Sequence, residues 1–201
     1  MKKPKLSWFI MALVMMPVLA VALFALTSDW SVAKPLRHVP DFTLIDTSGN
    51  EVRNTDLLGK VWVASFIFTR CEGMCPLLNK KTQKLHEFFG KDPHFRTVSI
   101  SVDPEADTPS ALRRYAARYR NNTDSWIFLT GERGSIKDLL QSGFQVVMPG
   151  MEDSQTGMIT HSNNFVVVDR EGAIRGHFDM DDESSMIKLK RSVHKYLGRR
   201  F

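Results

Sequence analysis

The chain has 201 residues, 43% of them apolar, a formal net charge of +5 and two cysteines. That length supports one sizeable core, and two thiols exclude a disulfide-stapled scaffold. Of the 27 basic residues, Lys2, Lys3 and Lys5 precede an apolar run, and the other 24 against 22 acidic residues leave only +2; the basic excess near the C-terminus has no interleaved aromatics, which argues against nucleic acid as a partner.

Residues 6–26 carry no charge, a run of 21, and about 20 apolar residues span a bilayer as a helix. Lysines before the run and none directly after it predict a cytoplasmic N-terminus and an external remainder. A cleaved signal peptide is the alternative, because Ala20-Val21-Ala22 has the small-x-small form. The retained anchor is favoured because the apolar run continues to Leu26. Residues 1–26 are therefore read as one N-terminal transmembrane helix or a signal peptide. Residues 27–40, with Ser28, Pro35 and Pro40, are read as a linker, and residues 41–201 as one domain. The expected place is the inner (cytoplasmic) membrane, with the domain in the periplasm or its equivalent, where disulfides persist.

Within the domain, residues 42–45 and 51–52 flank Ser48-Gly49-Asn50 as a hairpin. Residues 61–68 form a continuous apolar and β-branched run, the mark of a central strand buried on both faces. Leu77, Leu78, Lys81, Leu85, Phe88 and Phe89 follow helical spacing, and Gly90 stops the helix. Residues 97–102 are a second strand. Thr108 as N-cap and Pro109 at the first helical position open a helix to about residue 120. Residues 126–129 are strand-like, 135–142 helical, and 144–148 extended. Residues 165–168 and 173–178 flank Asp169-Arg170-Glu171-Gly172 as a hairpin, and residues 182–197 close the chain as an amphipathic helix. This α/β order resembles a thioredoxin-like fold with an N-terminal β-hairpin extension and an inserted strand-helix segment, preceded by the transmembrane helix.

Cys71 and Cys75 stand at the end of the central strand, four positions apart and so on one face of a helical turn. A helix N-terminus there favours thiolate. Such a pair can close a disulfide or grip one soft metal ion. Two thiolates leave a copper site short of a ligand, and imidazole is the usual third. His38 falls in the linker, His86 and His94 on or beyond the first helix, His177 in the last hairpin and His194 on the final helix. His161 lies in the loop before the strand at 165–168. From the residues alone, a ligand role and a local hydrogen bond are equally open for it.

Phe68-Thr69-Arg70-Cys71, Cys75-Pro76, Ser101-Val102-Asp103-Pro104-Glu105-Ala106-Asp107-Thr108-Pro109, and His161-Ser162 before a Val-rich strand together resemble the Sco/SenC family. The Asp41-Phe42-Thr43-Leu44 opening, Gly59-Lys60 and the gap of 86 residues from Cys75 to His161 fit as well. The resemblance implies a membrane-anchored, thioredoxin-like metallochaperone that binds one copper, Cu(I) or Cu(II), through Cys71, Cys75 and His161. It implies service to the copper-bearing subunit of cytochrome c oxidase, with other periplasmic copper chaperones as further partners, and no turnover of its own. Two departures stand out. Glu72 follows the first cysteine where many members have Pro, and Thr160 precedes the histidine where some have Asp. Glu72 is expected to raise the thiol pKa values. Met74 is expected to pack over the site, with a thioether approach to copper as its alternative. Asp103 and Asp107 are expected to cap the next helix, with a tuning role for Asp103 beside the cysteine turn.

Two other chemistries stay open. In a thiol-disulfide reductase, Cys71 would attack and Cys75 resolve, acting on the cysteines of the oxidase copper-site subunit. In a thiol peroxidase, Cys71 would pass through sulfenic acid, but the two thiols are too close for that enzyme's usual arrangement.

Overall fold

A computed structural model describes residues 15–17, 35–119, 125–146 and 163–198. The chain divides into two compact units, Met1–Lys34 and Pro35–Phe201. In the first unit only residues 15–17 are described, as helix, so the expected anchor lies almost wholly outside the described residues. No helix among the described residues is long and apolar enough to cross a membrane.

The second unit is a mixed α/β fold around one sheet. Its elements run β1 (Arg37–His38), β2 (Thr43–Asp46), β3 (Glu51–Arg53), β4 (Val61–Ile67), α1 (Met74–Phe89), β5 (Phe95–Ser101), α2 (Pro109–Ala116), β6 (Trp126–Thr130), α3 (Arg133–Asp138), β7 (Asn164–Val168), β8 (Ala173–Asp179) and α4 (Glu183–Tyr196). The eight strands lie in the order β1-β8-β7-β4-β5-β6-β2-β3. β4, β5 and β6 are parallel, and the remaining pairings are antiparallel.

Every residue of β4 is buried. Its side chains alternate between two cores, as the strand period of two requires. Trp62, Ala64 and Phe66 face Leu139, Leu140 and Phe144. Val61, Val63 and Ile67 face Leu78, Leu85 and Phe89 of α1, Leu112 of α2 and Leu189 of α4. Helical segments thus cover both faces of the sheet, which is what a strand apolar on both sides needs. The parallel strands end together, so the turns after β4 and β5 meet at one edge.

Three expectations need correction. Residues 35–40 are more than linker: Arg37–His38 pair with Ile174 and Ala173 and add a strand to the sheet edge. The second helix ends at Ala116 rather than near residue 120. Phe144 belongs to no strand; Leu139–Phe144 form a wide π-type turn that ends at Gln145 with φ 54°. Phe144 is fully buried there, its ring 6.0 Å from Trp62 and 5.3 Å from Phe66. Apolar residues at 144 and 146 match a strand period, but the pattern arises because both fill one core. Residues 147 and 148 lie outside the described residues.

Candidate functional site

The cysteine turn leaves β4 at Phe68 and enters α1 at Met74. Gly73 holds the N-cap position and offers no side-chain oxygen to the first turn. A sulfur takes that part: the backbone N–H of Cys75 donates to Cys71 Sγ at 3.3 Å. Sequence spacing of four positions and the geometry of a helix start together bring this about, since the first-turn N–H groups have no partner within the helix. Pro76 fits in the same turn because its missing N–H would have been unpaired.

The two thiols, both free, are unequal. Burial pushes the half-exposed Cys71 upward, but hydrogen bonds from the Cys75 thiol and from the N–H groups of Cys75, Gly73 and Met74 outweigh it, so its pKa lies below the ordinary value. Cys75 is buried at 3% exposure. Burial and donation of its proton to Cys71 push its thiol well above the ordinary value. Cys71 is therefore the first sulfur to carry charge, and thiolate is the form that attacks disulfides and binds metals.

A buried carboxylate holds this turn in place. Asp107 is 0% exposed. It accepts the N–H of Thr69 at 3.1 Å, the hydroxyl of Thr69, and the hydroxyl of Ser101 at 2.6 Å. It thereby ties the turn after β4 to the turn after β5. The expectation that Asp103 and Asp107 cap the next helix does not hold: Thr108 is the cap, its hydroxyl accepting from Ala111 N–H at 3.3 Å. That spare cap was the available sign that Asp107 is free for other work. Asp103 instead pairs with Arg70, next to Cys71, at 2.6 Å, so the two turns are joined outside as well as inside. A second polar link was not foreseen. Asn79, buried one turn beyond Cys75, donates to the Tyr115 hydroxyl of α2 at 2.6 Å. Burial keeps the Tyr115 phenol neutral far above neutral pH.

Glu72 is exposed, and the leading influences on Cys71 are its own burial and the hydrogen bonds from Cys75, Gly73 and Met74. Met74 is the first residue of α1 and is 36% exposed. His161 lies outside the described residues, and so does Thr160. Other histidines have different surroundings. The His86 ring lies 5.8 Å from that of Trp126, His177 Nε2 donates to the Phe144 carbonyl at 2.6 Å, and His194 lies against Phe88 and Phe89. Among the described residues no three His, Cys, Asp or Glu side chains gather into a metal site. Two sulfurs on one face at a helix N-terminus are a partial soft-metal donor set, and their chemistry fits copper.

A family model described as SCO1/SenC matches residues 31–198. The chain belongs to that family. Among SCO1/SenC relatives, the SCO1 protein homolog of Bacillus subtilis is 32% identical over 71% of this chain and 75% of its own length. The structure of BsSco, described as a member of the Sco family of cytochrome c oxidase assembly proteins with a disulfide switch, is 28% identical, with a TM-score of 0.65 over 80% of this chain and 96% of that one. The structure of ScoI from Bradyrhizobium japonicum with copper bound is 26% identical, with a TM-score of 0.62 over 77% of this chain and 99% of that one. The fold described above is thus the Sco variant of the thioredoxin-like fold.

Proposed function

We propose that this chain is a copper metallochaperone that holds one copper ion through Cys71, Cys75 and His161. It passes the ion to the copper-bearing subunit of cytochrome c oxidase by ligand exchange. The observation that carries this reading is the sulfur pair at the start of α1, with Cys71 Sγ already accepting a helix N–H. The copper-bound Bradyrhizobium relative supports the choice of metal, and BsSco's place among oxidase assembly proteins supports the recipient. The two thiolates suit Cu(I), and imidazole from His161 extends the site to Cu(II). Asp107 and Thr69 keep the turn shaped while ligands exchange. Residues 6–26 anchor the chain in the inner membrane, N-terminus in the cytoplasm, with the domain in the periplasm.

A second reading is favoured by the inequality of the thiols and by the disulfide switch of BsSco. Cys71 thiolate attacks one sulfur of a partner disulfide, forming a mixed disulfide and releasing a partner thiolate. Cys75 then loses its proton to solvent and attacks Cys71 Sγ, releasing the second partner thiolate. The chain ends as the Cys71–Cys75 disulfide, and the partner gains the two electrons.

Anaerobic copper titration of the reduced chain, followed by absorption and electron paramagnetic resonance, separates the two. The chaperone reading expects one copper per chain and a thiolate-to-Cu(II) charge-transfer band. It expects His161→Ala to lose copper affinity by orders of magnitude while keeping thiol exchange. Full copper affinity in His161→Ala sinks the ligand set, and weak binding by the parent chain moves the assignment to the reductase.

A further inference from the structure

Among the described residues of the folded unit, six large apolar side chains stand exposed, and four of them lie on α1 and α4. These are Met74, Leu77 at 53%, Phe88 at 60% and Ile187 at 47%. On α1 they belong to a regular series: Met74, Leu77, Lys81, Lys84 and Phe88 are spaced three and four apart. That spacing puts them on one face, in the rhythm of a seam that receives another helix. The face lies beside the stripe of Cys75, Leu78, Leu85 and Phe89 that α1 buries in its own core. It is therefore additional to what the fold requires.

Lys81 and Lys84 of this face also line a groove of about 400 Å³ between α1 and α4, with Leu85, Met186, Ile187 and Lys190. Lys81 donates to the Met180 carbonyl. Lys190 stands with its ammonium 6.0 Å from the Phe88 ring centre. Asp181 and Glu183 line the groove where α4 begins, and Asp181 is held by Asn163 at 2.8 Å. At the Phe88 end the charged lining is thus lysine around exposed carbon. Exposed carbon rimmed by charged side chains is the composition of a protein-docking surface.

We propose that this face of α1 and α4 docks an acidic amphipathic helix of the protein that exchanges cargo with the thiol pair. Apolar side chains of that helix seat on Leu77, Phe88 and Ile187, and its carboxylates meet Lys84 and Lys190. The seam begins at Met74, the residue beside Cys75, so a helix laid along it ends at the sulfurs. α1 has 16 residues, about 24 Å of helix, which matches a partner of four turns. The proposal rests on the reading that copper or a disulfide passes between Cys71–Cys75 and another protein.

The test uses the full chain in phosphatidylcholine nanodiscs, titrated calorimetrically with a synthetic 18-residue helix carrying Leu and Glu on one face. The expected result is binding that falls at least tenfold in Leu77→Ser/Phe88→Ser and in Lys84→Glu/Lys190→Glu. Copper titration of those variants should match the parent, since all four positions are on the surface. Peptide binding should also survive Cys71→Ser/Cys75→Ser, which disables the site alone. No binding, equal binding of the same helix with Lys in place of Glu, or unchanged binding by the surface variants overturns the proposal. Displacement of the peptide by phosphatidylglycerol vesicles assigns the face to lipid and overturns it too. Peptide binding by a parent chain that takes up no copper and exchanges no disulfide would count against the proposed function, not against the groove.

Discussion

Asp107 shows how much a single buried carboxylate organises. Its oxygens satisfy a backbone N–H and two hydroxyls across 38 positions of sequence. Asp107→Ala would leave the buried Ser101 hydroxyl and the part-buried Thr69 donors without this acceptor, at a cost of about 1–3 kcal/mol. A urea unfolding midpoint equal to the parent's would count against that role. The same variant is expected to loosen the cysteine turn, so its rate of Cys71 alkylation should change with it. The thiol pair itself was plain in the sequence, because the helical period fixes which residues share a face. Their inequality was only partly so. Cys71 was named as the attacker, but what separates the two sulfurs is the burial of Cys75 on the core face of α1, a product of packing.

At the scale of elements, the segments with strong periodicity formed where expected: the buried run became β4, and the Thr108-Pro109 signal started α2. The wide turn at Leu139–Phe144 did not announce itself. A π-type turn has no residue signature of its own, and Phe144 and Val146 imitate a strand. What makes the turn fit is Gly143, where a Cβ would lie 2.8 Å from Cδ of Pro40 and 3.2 Å from Leu139. Gly143→Ala should therefore destabilise by about 1–3 kcal/mol, the usual cost of overpacking. Its thermal midpoint should drop accordingly, and copper titration of the folded protein should be unaffected. His177 supports the same turn by donating to the Phe144 carbonyl, which explains a histidine inside the last hairpin without any metal.

Across the whole unit, a buried ion pair inside the β7–β8 hairpin places Arg175 against Tyr196 and so links the hairpin to α4. Asp169 is 1% exposed and pairs with Arg175, while also accepting the N–H groups of Glu171 and Ala173. The Arg175 guanidinium lies 4.9 Å from the ring centre of Tyr196 at the end of α4. Arg175→Ala strands a buried carboxylate and should cost roughly 3 kcal/mol, read as a lower denaturation midpoint with the final helix exchanging its amide hydrogens faster. A midpoint within error of the parent's would show that the backbone donors alone hold Asp169. The strongly periodic elements, the two sulfurs at the end of the central strand and the family pattern that points to His161 were all legible in the residues, because each rests on residues near one another or on a motif read in order. Long-range packing alone makes Asp107 hold the cysteine turn, brings Arg37–His38 into the sheet, and leaves Leu77 and Phe88 of α1 exposed. Those depend on strand register and helix packing, which bring together residues that no local period relates.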